Sequence, residues 1–162
     1  MEIVYRPMHL SDVDKVWELF ELLKEENAGV SFVEIPDKRE LKKWLGNDSI
    51  FLYIAENGDG VLSAMRAIRG NDSGTRHSAV LSVATHPDYR SKGISKELVL
   101  SGLEDMRKDG VSLARLYIYS DNIPSISLAL RLGFTVSGVV YRHHFDEQTK
   151  DYIDDIIFHK LL

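Results

Sequence analysis

The most informative segment of the chain reads Val83-Ala84-Thr85-His86-Pro87-Asp88-Tyr89-Arg90-Ser91-Lys92-Gly93-Ile94-Ser95. It passes from an apolar run typical of a strand, through a polar turn, to a glycine that precedes helical spacing. The first N–H groups of a helix lack partners inside it and carry partial positive charge, so they attract anions. Gly93 permits close approach of the backbone, and Arg90 and Lys92 add positive charge. Residues 90–95, which we call the cradle, are therefore predicted to bind phosphate or pyrophosphate.

The spacing of the cradle alone leaves an alternative open. A solvated helix start whose glycine eases a tight turn would show the same residues. Other phosphate-binding signatures do not compete, because the sequence contains neither G-x-x-x-x-G-K-[ST] nor G-x-G-x-x-G. The order of the elements on either side of the cradle is therefore the evidence that decides.

After the cradle, the chain alternates helical and strand patterns. Apolar residues from 98 to 106 recur at helical spacing, and Gly110 is a typical helix end. Asn122 can cap a short helix that ends at Gly133. Strands are predicted at residues 113–119, 134–141 and 152–158. A strand, helix, strand succession favours one parallel strand pair.

Before the cradle, the patterns predict two helices among four strands. Ser11 and Asp14 resemble a capping box that opens the first helix, and Asp37 with Glu40 marks the start of the second. Strands are predicted at residues 3–6, 50–55, 61–68 and 77–85. Asn57-Gly58 is strong turn chemistry, so the second and third of these strands should form a hairpin.

The resulting order, β-α-α-β-β-β-α-β-α-β-β, predicts an α/β fold. We expect a twisted mixed sheet of about seven strands flanked on both faces by about four helices. The sequence shows no repeat, low-complexity stretch or Pro/Gly/Ser-rich linker, so residues 1–162 are expected to form a single domain.

Composition narrows the classes of function. The 162 residues include no cysteine, which excludes disulfide frameworks, thiolate metal sites and cysteine nucleophiles. The formal net charge of -5 argues against a nucleic-acid binder, which usually carries a basic surplus. No apolar run approaches the roughly 20 residues needed to span a membrane, and the first residues lack the apolar core of a secretory signal. A cytoplasmic location is expected, with neither membrane nor nucleic acid as a partner.

Two motifs and their separation resemble the Gcn5-related (GNAT) N-acetyltransferases. The family signature [QR]-x-x-G-x-[GA] follows a strand, often through Pro-Asp/Glu-Tyr, and corresponds here to Pro87-Asp88-Tyr89-Arg90, Gly93 and Ser95. Ser95 departs from the usual glycine or alanine but is also small. The second motif is an asparagine after the fifth strand, a short helix and Gly-Phe, similar to Asn122 and Leu132-Gly133-Phe134. The likeness extends over nearly the whole chain.

The resemblance implies an acetyl-CoA-dependent N-acetyltransferase with the GNAT fold. Backbone groups of Val83, Ala84 and Thr85 should pair with the pantetheine arm like an added strand. Asn122 should contact the pantetheine or orient the site, and it can cap the following helix at the same time. The pyrophosphate should be held by the cradle, which consists of Arg90, Ser91, Lys92, Gly93, Ile94 and Ser95. The implied reaction is direct attack by a primary amine of a small molecule or peptide within a ternary complex.

The positions that usually carry protons in this family are largely altered. A tyrosine before Gly-Phe corresponds to Ala129, a glutamate on the fourth strand corresponds roughly to Ala79, and a glutamate on the fifth strand corresponds to Tyr117. Tyr117 is therefore the catalytic candidate, although an aromatic residue in a strand often serves packing alone. Other substitutes are Tyr119, His77 and Tyr141. Orientation of the reactants can also lower the barrier without a proton carrier.

These altered positions leave a second function open, namely a binding or regulatory domain that holds acyl-CoA without turning it over. A cofactor-free interaction module is disfavoured by the charge balance and by the cradle.

The acceptor side is less well defined. The resemblance places residues 25–34 and the last hairpin there. Glu25, Glu26 and Glu34 are hypothesised to attract a cationic amine, with ordinary solvated surface as the alternative. His143-His144 is expected to be a surface pair and not a metal site, because adjacent strand residues point to opposite faces and cannot both bind one ion. No metal is predicted. The resemblance alone implies a homodimer through the final strands.

Overall fold

A computed structural model describes residues 2–162 as a mixed sheet with helices on both faces. The strands are β1 (Val4–Pro7), β2 (Ile50–Asn57), β3 (Gly60–Arg69), β4 (Ser78–Thr85), β5 (Leu113–Tyr119), β6 (Thr135–Asp146) and β7 (Asp151–Leu161). The helices are α1 (Val13–Glu25), α2 (Lys38–Leu45), α3 (Ile94–Lys108) and α4 (Ile123–Arg131). Short 3-10 turns lie at Leu10–Asp12, Ser31–Val33 and Pro87–Tyr89. The predicted order of strands and helices is confirmed.

The sheet opens between its two parallel strands. Its strand order is β1-β2-β3-β4-β5-β7-β6, and each neighbouring pair is antiparallel except β4 with β5. In the described chain the β4–β5 pairing joins residues 78–80 to residues 113–115 and goes no further. β4 continues along β3 to Thr85, and β5 continues along β7 to Tyr119. The two strands therefore diverge in their second halves.

Helices cover both faces of the sheet and bury two cores. α1 and α2 pack on one face, where Phe20 is 1% exposed, and α3 and α4 pack on the other, where Leu98 is 0% exposed. Full burial of such a side chain contributes about 1.5–3 kcal/mol. Side chains alternate along β4, so Ala84 belongs to the first core and Leu81 to the second. None of the helices of residues 2–162 is long and apolar enough to cross a membrane.

The start of α1 differs from the prediction. A 3-10 turn at Leu10–Asp12 precedes the helix, and Asp12 closes it by accepting a hydrogen bond from the His9 N–H at 2.7 Å. Asp12 also accepts two hydrogen bonds from Arg6 of β1, at 2.7 and 2.9 Å. The predicted capping box at Ser11–Asp14 is wrong, because Asp12, which also pairs with Arg6 of β1, fixes an earlier start at His9.

The closing hairpin is longer than predicted. β6 and β7 extend well beyond residues 134–141 and 152–158. Their register shifts between Val136 and Gly138 and again between Val140 and His144. Each bulge shifts the register, so that the two strands continue to pair on both sides of it.

Candidate functional site

The opening between β4 and β5, which we call the cleft, presents an unpaired backbone edge of β4. The His86 N–H donates to the carbonyl of Leu62 in β3 at 2.8 Å. The Ser78 carbonyl accepts from the Gly70 N–H at 3.1 Å. Even-numbered residues of β4 therefore direct their polar groups to β3. Odd-numbered residues direct theirs toward β5, which has left the pairing before Val83.

This alternation determines which of the three predicted pantetheine contacts have backbone groups that face the cleft. Val83 and Thr85 direct their backbone groups into the cleft, as an added-strand contact requires. The Thr85 carbonyl already accepts a hydrogen bond from Arg90 Nε at 3.2 Å. The Ala84 carbonyl faces β3, where it accepts from the Ser63 hydroxyl at 2.8 Å. Of the three residues, the odd-numbered ones therefore face the cleft with their backbone groups, and Ala84 does not.

The backbone of the cradle leads directly into a helix. After the 3-10 turn at Pro87–Tyr89, Ser91 has φ 60° and Gly93 has φ 80°. α3 starts at the next residue, no described side chain caps its first N–H groups, and Ser95 lies in its first turn. A Cβ built on Gly93 would meet no atom within 4 Å, so the space before the helix is open. The glycine is needed for its positive φ, and the helix N-terminus is open to an anion.

Arg90 is less available to an anion than the sequence suggests. Its two terminal nitrogens donate to both carboxylate oxygens of Glu26 at 2.6 Å, and this hydrogen bonding lowers the pKa of Glu26. Lys92 Nζ lies 4.9 Å from the centroid of the Tyr89 ring, at the surface. The Ile94 side chain is 2% exposed, so only its N–H can face a ligand. The cradle's positive charge therefore comes mainly from Lys92 and the helix N-terminus, because the Arg90 guanidinium is already paired with Glu26.

The cleft widens into a cavity of about 340 Å³ that reaches both faces of the sheet. On the face covered by α3 and α4, Val99, Leu128 and Ala129 line it. On the opposite face it is bordered by residues 29–31, which follow α1, and by the closing hairpin. The cavity therefore has walls on both faces of the sheet.

Several sequence-predicted positions line the cavity, among them Asn122, Tyr117 and Ala129. Asn122 caps α4, since its Oδ1 accepts from the Ser125 N–H at 3.3 Å, and it borders the cavity as well. Tyr117 lines the cavity and is 47% exposed. Ala129 lines it and is 0% exposed, so this position offers no proton donor where the family commonly has tyrosine.

The other positions considered for proton transfer differ in whether they line the cavity. Tyr119 lines the cavity, whereas His77, Tyr141 and the altered position Ala79 do not. Ala79 is paired on both sides, with β3 and with β5, in the closed part of the sheet. Tyr141 is 77% exposed.

Two polar residues that the motifs do not identify, His143 and Asp155, border the cavity. His143 Nε2 lies 3.9 Å from Asp155 Oδ2. Asp155 is 7% exposed, and its Oδ1 has no hydrogen-bond partner among the described residues. The available sequence signal is a carboxylate directly before the apolar run Ile156-Ile157-Phe158, because such residues are rarely buried without a partner.

His143 and His144 are both exposed, as expected of a surface pair, but their side chains do not diverge as in a regular strand. A bulge with Arg142 at φ 52° lies where the β6–β7 register shifts. The rings of His143 and His144 consequently both approach Tyr119, with centroids 6.2 and 5.3 Å away. Residues 2–162 contain no cluster of three or more His, Asp or Glu side chains able to hold a metal ion.

The predicted carboxylates of the acceptor loop do not line the cavity. Glu26 is engaged by Arg90, and Glu25 with Glu26 borders a separate depression beside Pro87. The loop contributes residues 29–31 to the cavity instead.

The sequence profile described as the Acetyltransferase (GNAT) family matches residues 16–134. A mycothiol acetyltransferase of Corynebacterium jeikeium is 28% identical over 122 residues, which cover 74% of this chain and 34% of that protein. The chain spans about a third of the length of the curated relatives it matches.

Solved structures share the fold. A ribosomal-protein-alanine N-acetyltransferase from Brucella melitensis superimposes with a TM-score of 0.84 at 22% identity, covering 98% of this chain and 99% of that one. yncA from Salmonella typhimurium, solved with its cofactor acetyl-CoA, gives 0.82 at 20% identity, covering 99% and 94%. The profile match includes the cradle and the strands that form the cleft. The chain therefore belongs to the GNAT acetyltransferase family.

Proposed function

We propose that the chain is an acetyl-CoA-dependent N-acetyltransferase that acetylates a primary amine of a small molecule or peptide. The observation that carries this proposal is the cleft, an unpaired strand edge beside an uncapped helix N-terminus, which opens into a cavity reaching both faces of the sheet. The proposal treats residues 1–162 as one catalytic domain.

The residues present fit acetyl-CoA in two places. Val83 and Thr85 direct backbone groups into the cleft, where the amides of a pantetheine arm could pair with them. The first N–H groups of α3, the open space at Gly93 and the Lys92 ammonium suit a pyrophosphate. When bound, acetyl-CoA would supply the acetyl thioester.

The chain's own groups would act by orientation and by electrostatics. The Val83 N–H, directed into the cleft, would donate to the acetyl oxygen as negative charge develops on it. The Tyr117 hydroxyl is a candidate to carry a proton at the cavity wall. Ala129 would exclude water from the reacting atoms without taking part in proton transfer. Holding amine and thioester in contact lowers the barrier by several kcal/mol.

Ala129 also favours a second candidate function. An alanine at the position where the family commonly has a tyrosine suits a domain that binds acyl-CoA and regulates or delivers it without turnover. The two functions share the cradle and differ in whether free CoA is released.

Two measurements separate these functions. A ligand at about 100 times its dissociation constant stabilises by about 2.7 kcal/mol, or about 5–10 °C for a domain of this size. We expect such a shift with acetyl-CoA and little with ATP. We then expect free CoA thiol from acetyl-CoA plus at least one amine of a panel. A shift without thiol release would favour the binding domain, and no shift would overturn both functions.

A further inference from the structure

Asp155 is a buried carboxylate with one unsatisfied oxygen. It lies in β7 opposite Tyr119 of β5 and Val140 of β6, and its side chain is 10% exposed. Its Oδ1 has no hydrogen-bond partner within residues 2–162. A buried charge is strongly unfavourable unless it accepts hydrogen bonds or pairs with a cation. A carboxylate without either in a cavity wall therefore calls for a functional explanation.

The described chain gives this carboxylate no close cation of its own. His143 is the single basic side chain in residues 2–162 within 4.0 Å, and 3.9 Å from Nε2 to Oδ2 exceeds hydrogen-bond length. His143 is itself 46% exposed, so it links Asp155 to solvent. The Tyr119 ring beside it presents an aromatic surface that tolerates a cation.

We propose that Asp155 binds the ammonium group of the acceptor amine, and that His143 passes the proton released there to solvent. This inference rests on the proposed function and names its acceptor subsite. A primary ammonium offers three donors in a compact group, which suits a carboxylate that borders the cavity and lacks a close cation. A carboxylate or phosphate next to the amine would be repelled by Asp155. The substrate class is therefore a cationic primary amine without a neighbouring anionic group.

The proton balance gives each group a role. The ammonium nitrogen loses two protons and forms one N–C bond to the acetyl carbon, while the C–S bond breaks and its electron pair stays on sulfur. One proton completes the CoA thiol. The other passes from the ammonium to Asp155 or directly to His143, and from His143 to solvent.

Asp155→Asn removes the charge with little change of shape. Asp154→Asn is the matched control, because the preceding residue points to the other face, where its Oδ1 accepts from the Arg142 N–H at 2.8 Å. We expect Asp155→Asn to raise the KM of the best panel amine roughly tenfold to hundredfold, the equivalent of one charge-assisted hydrogen bond. The KM of acetyl-CoA, and both constants of the control, should change by no more than about twofold.

Thermal denaturation distinguishes binding from a structural role. Because Asp155 has no partner to lose, Asp155→Asn should keep or raise the melting temperature. A lowered melting temperature with unchanged amine KM would make Asp155 a structural residue and overturn the proposal.

The role of His143 has its own readout. His143→Ala should lower kcat without raising the amine KM, and added imidazole should restore part of the rate. His144→Ala is the control for loss of a neighbouring ring. Loss of activity that imidazole does not restore would overturn the proton relay.

Failure of the subsite and failure of the proposed function give different results. If the wild type acetylates amines and Asp155→Asn keeps the wild-type amine KM, the function stands and the subsite is wrong. If the wild type releases no CoA with any amine, the function fails, and calorimetry of the CoA-saturated protein with benzylamine and with benzyl alcohol tests the subsite. A preference for benzylamine that Asp155→Asn alone abolishes would support it, and equal or absent binding of the two would overturn it.

Discussion

Arg90 and Glu26 form a bidentate ion pair that joins the cradle to the C-terminal end of α1, with both N–O distances at 2.6 Å. The side chains are 43% and 34% exposed, so water and salt screen the pair. An incoming pyrophosphate would compete with Glu26 for the same guanidinium. The pair therefore sets how much positive charge the cradle offers to a ligand.

Glu26→Gln should tighten acetyl-CoA binding about twofold to fivefold at low salt, because it releases Arg90 and removes a nearby negative charge. Since Arg90 lowers the pKa of Glu26, that carboxylate stays ionised above about pH 4.3, and the difference should be constant between about pH 6 and 8. Calorimetric titration measures it, with the exposed Glu25→Gln as the control. Weaker binding by Glu26→Gln would mean that Glu26 positions Arg90 for the pyrophosphate.

Gly93→Asp should abolish acetyl-CoA binding. The aspartate places a carboxylate in the space before α3 and opposes a backbone φ of 80°. Gly58→Asp in the β2–β3 turn is the matched control, because a side chain there also meets nothing within 4 Å. The acetyl-CoA thermal shift should vanish in the first variant and persist in the second. A normal shift in Gly93→Asp would place the site elsewhere.

Most of the fold follows from local patterns. Helical spacing, turn residues and the Asp37 cap, whose Oδ1 accepts from the Arg39 N–H at 2.8 Å, lie where propensity and capping rules predict them. The start of α1 does not, because the Arg6–Asp12 pair joins residues on different elements. Local reasoning has no access to such a contact.

In the candidate site, too, some residues are identified by local sequence and others only by contacts between elements. Gly93 and Asn122 carry signals within a few residues of themselves, so the cradle and the α4 cap were predictable. Asp155 and His143 are brought to the cavity by the sheet order, which places β7 beside β5, and by a bulge in β6. The engagement of Arg90 by Glu26 spans 64 positions of sequence and is likewise visible only in three dimensions.

Tyr117→Phe should lower kcat about tenfold or more while leaving both KM values unchanged, if its hydroxyl carries a proton at the cavity wall. Steady-state rates with saturating acetyl-CoA measure this, and Tyr141→Phe, which does not line the cavity and is 77% exposed, is the control. Equal kcat in Tyr117→Phe and the wild type would leave orientation as the main source of the rate.

Exhaustive dialysis against EDTA should leave the transferase activity unchanged, because the proposed chemistry uses backbone donors, an aromatic hydroxyl and a thioester. The measurement is CoA release before and after dialysis. Loss of activity that zinc restores would overturn the expectation that no metal takes part.

Asp12 links the fold's first strand to α1 through a nearly buried ion pair. Arg6 donates to both Asp12 oxygens and also to Glu56 of β2, and the side chain of Asp12 is 7% exposed. Hydrogen bonding by Arg6 is the main cause that lowers the pKa of Asp12. The carboxylate therefore contributes to stability only while it is ionised.

Asp12→Asn should lower the free energy of unfolding at pH 7 by about 1.5–3 kcal/mol, since a charged hydrogen-bonding group is lost. The folded pKa lies below the unfolded value of about 3.9, so the contribution is complete above that pH and is lost as pH falls through the folded pKa. Urea denaturation at pH 7 and near pH 3 should show the gap between variant and wild type narrowing at the lower pH. Asp14→Asn, which removes an exposed pair with Lys38, should change little. A gap that is absent at pH 7 would show that Glu56 alone satisfies Arg6.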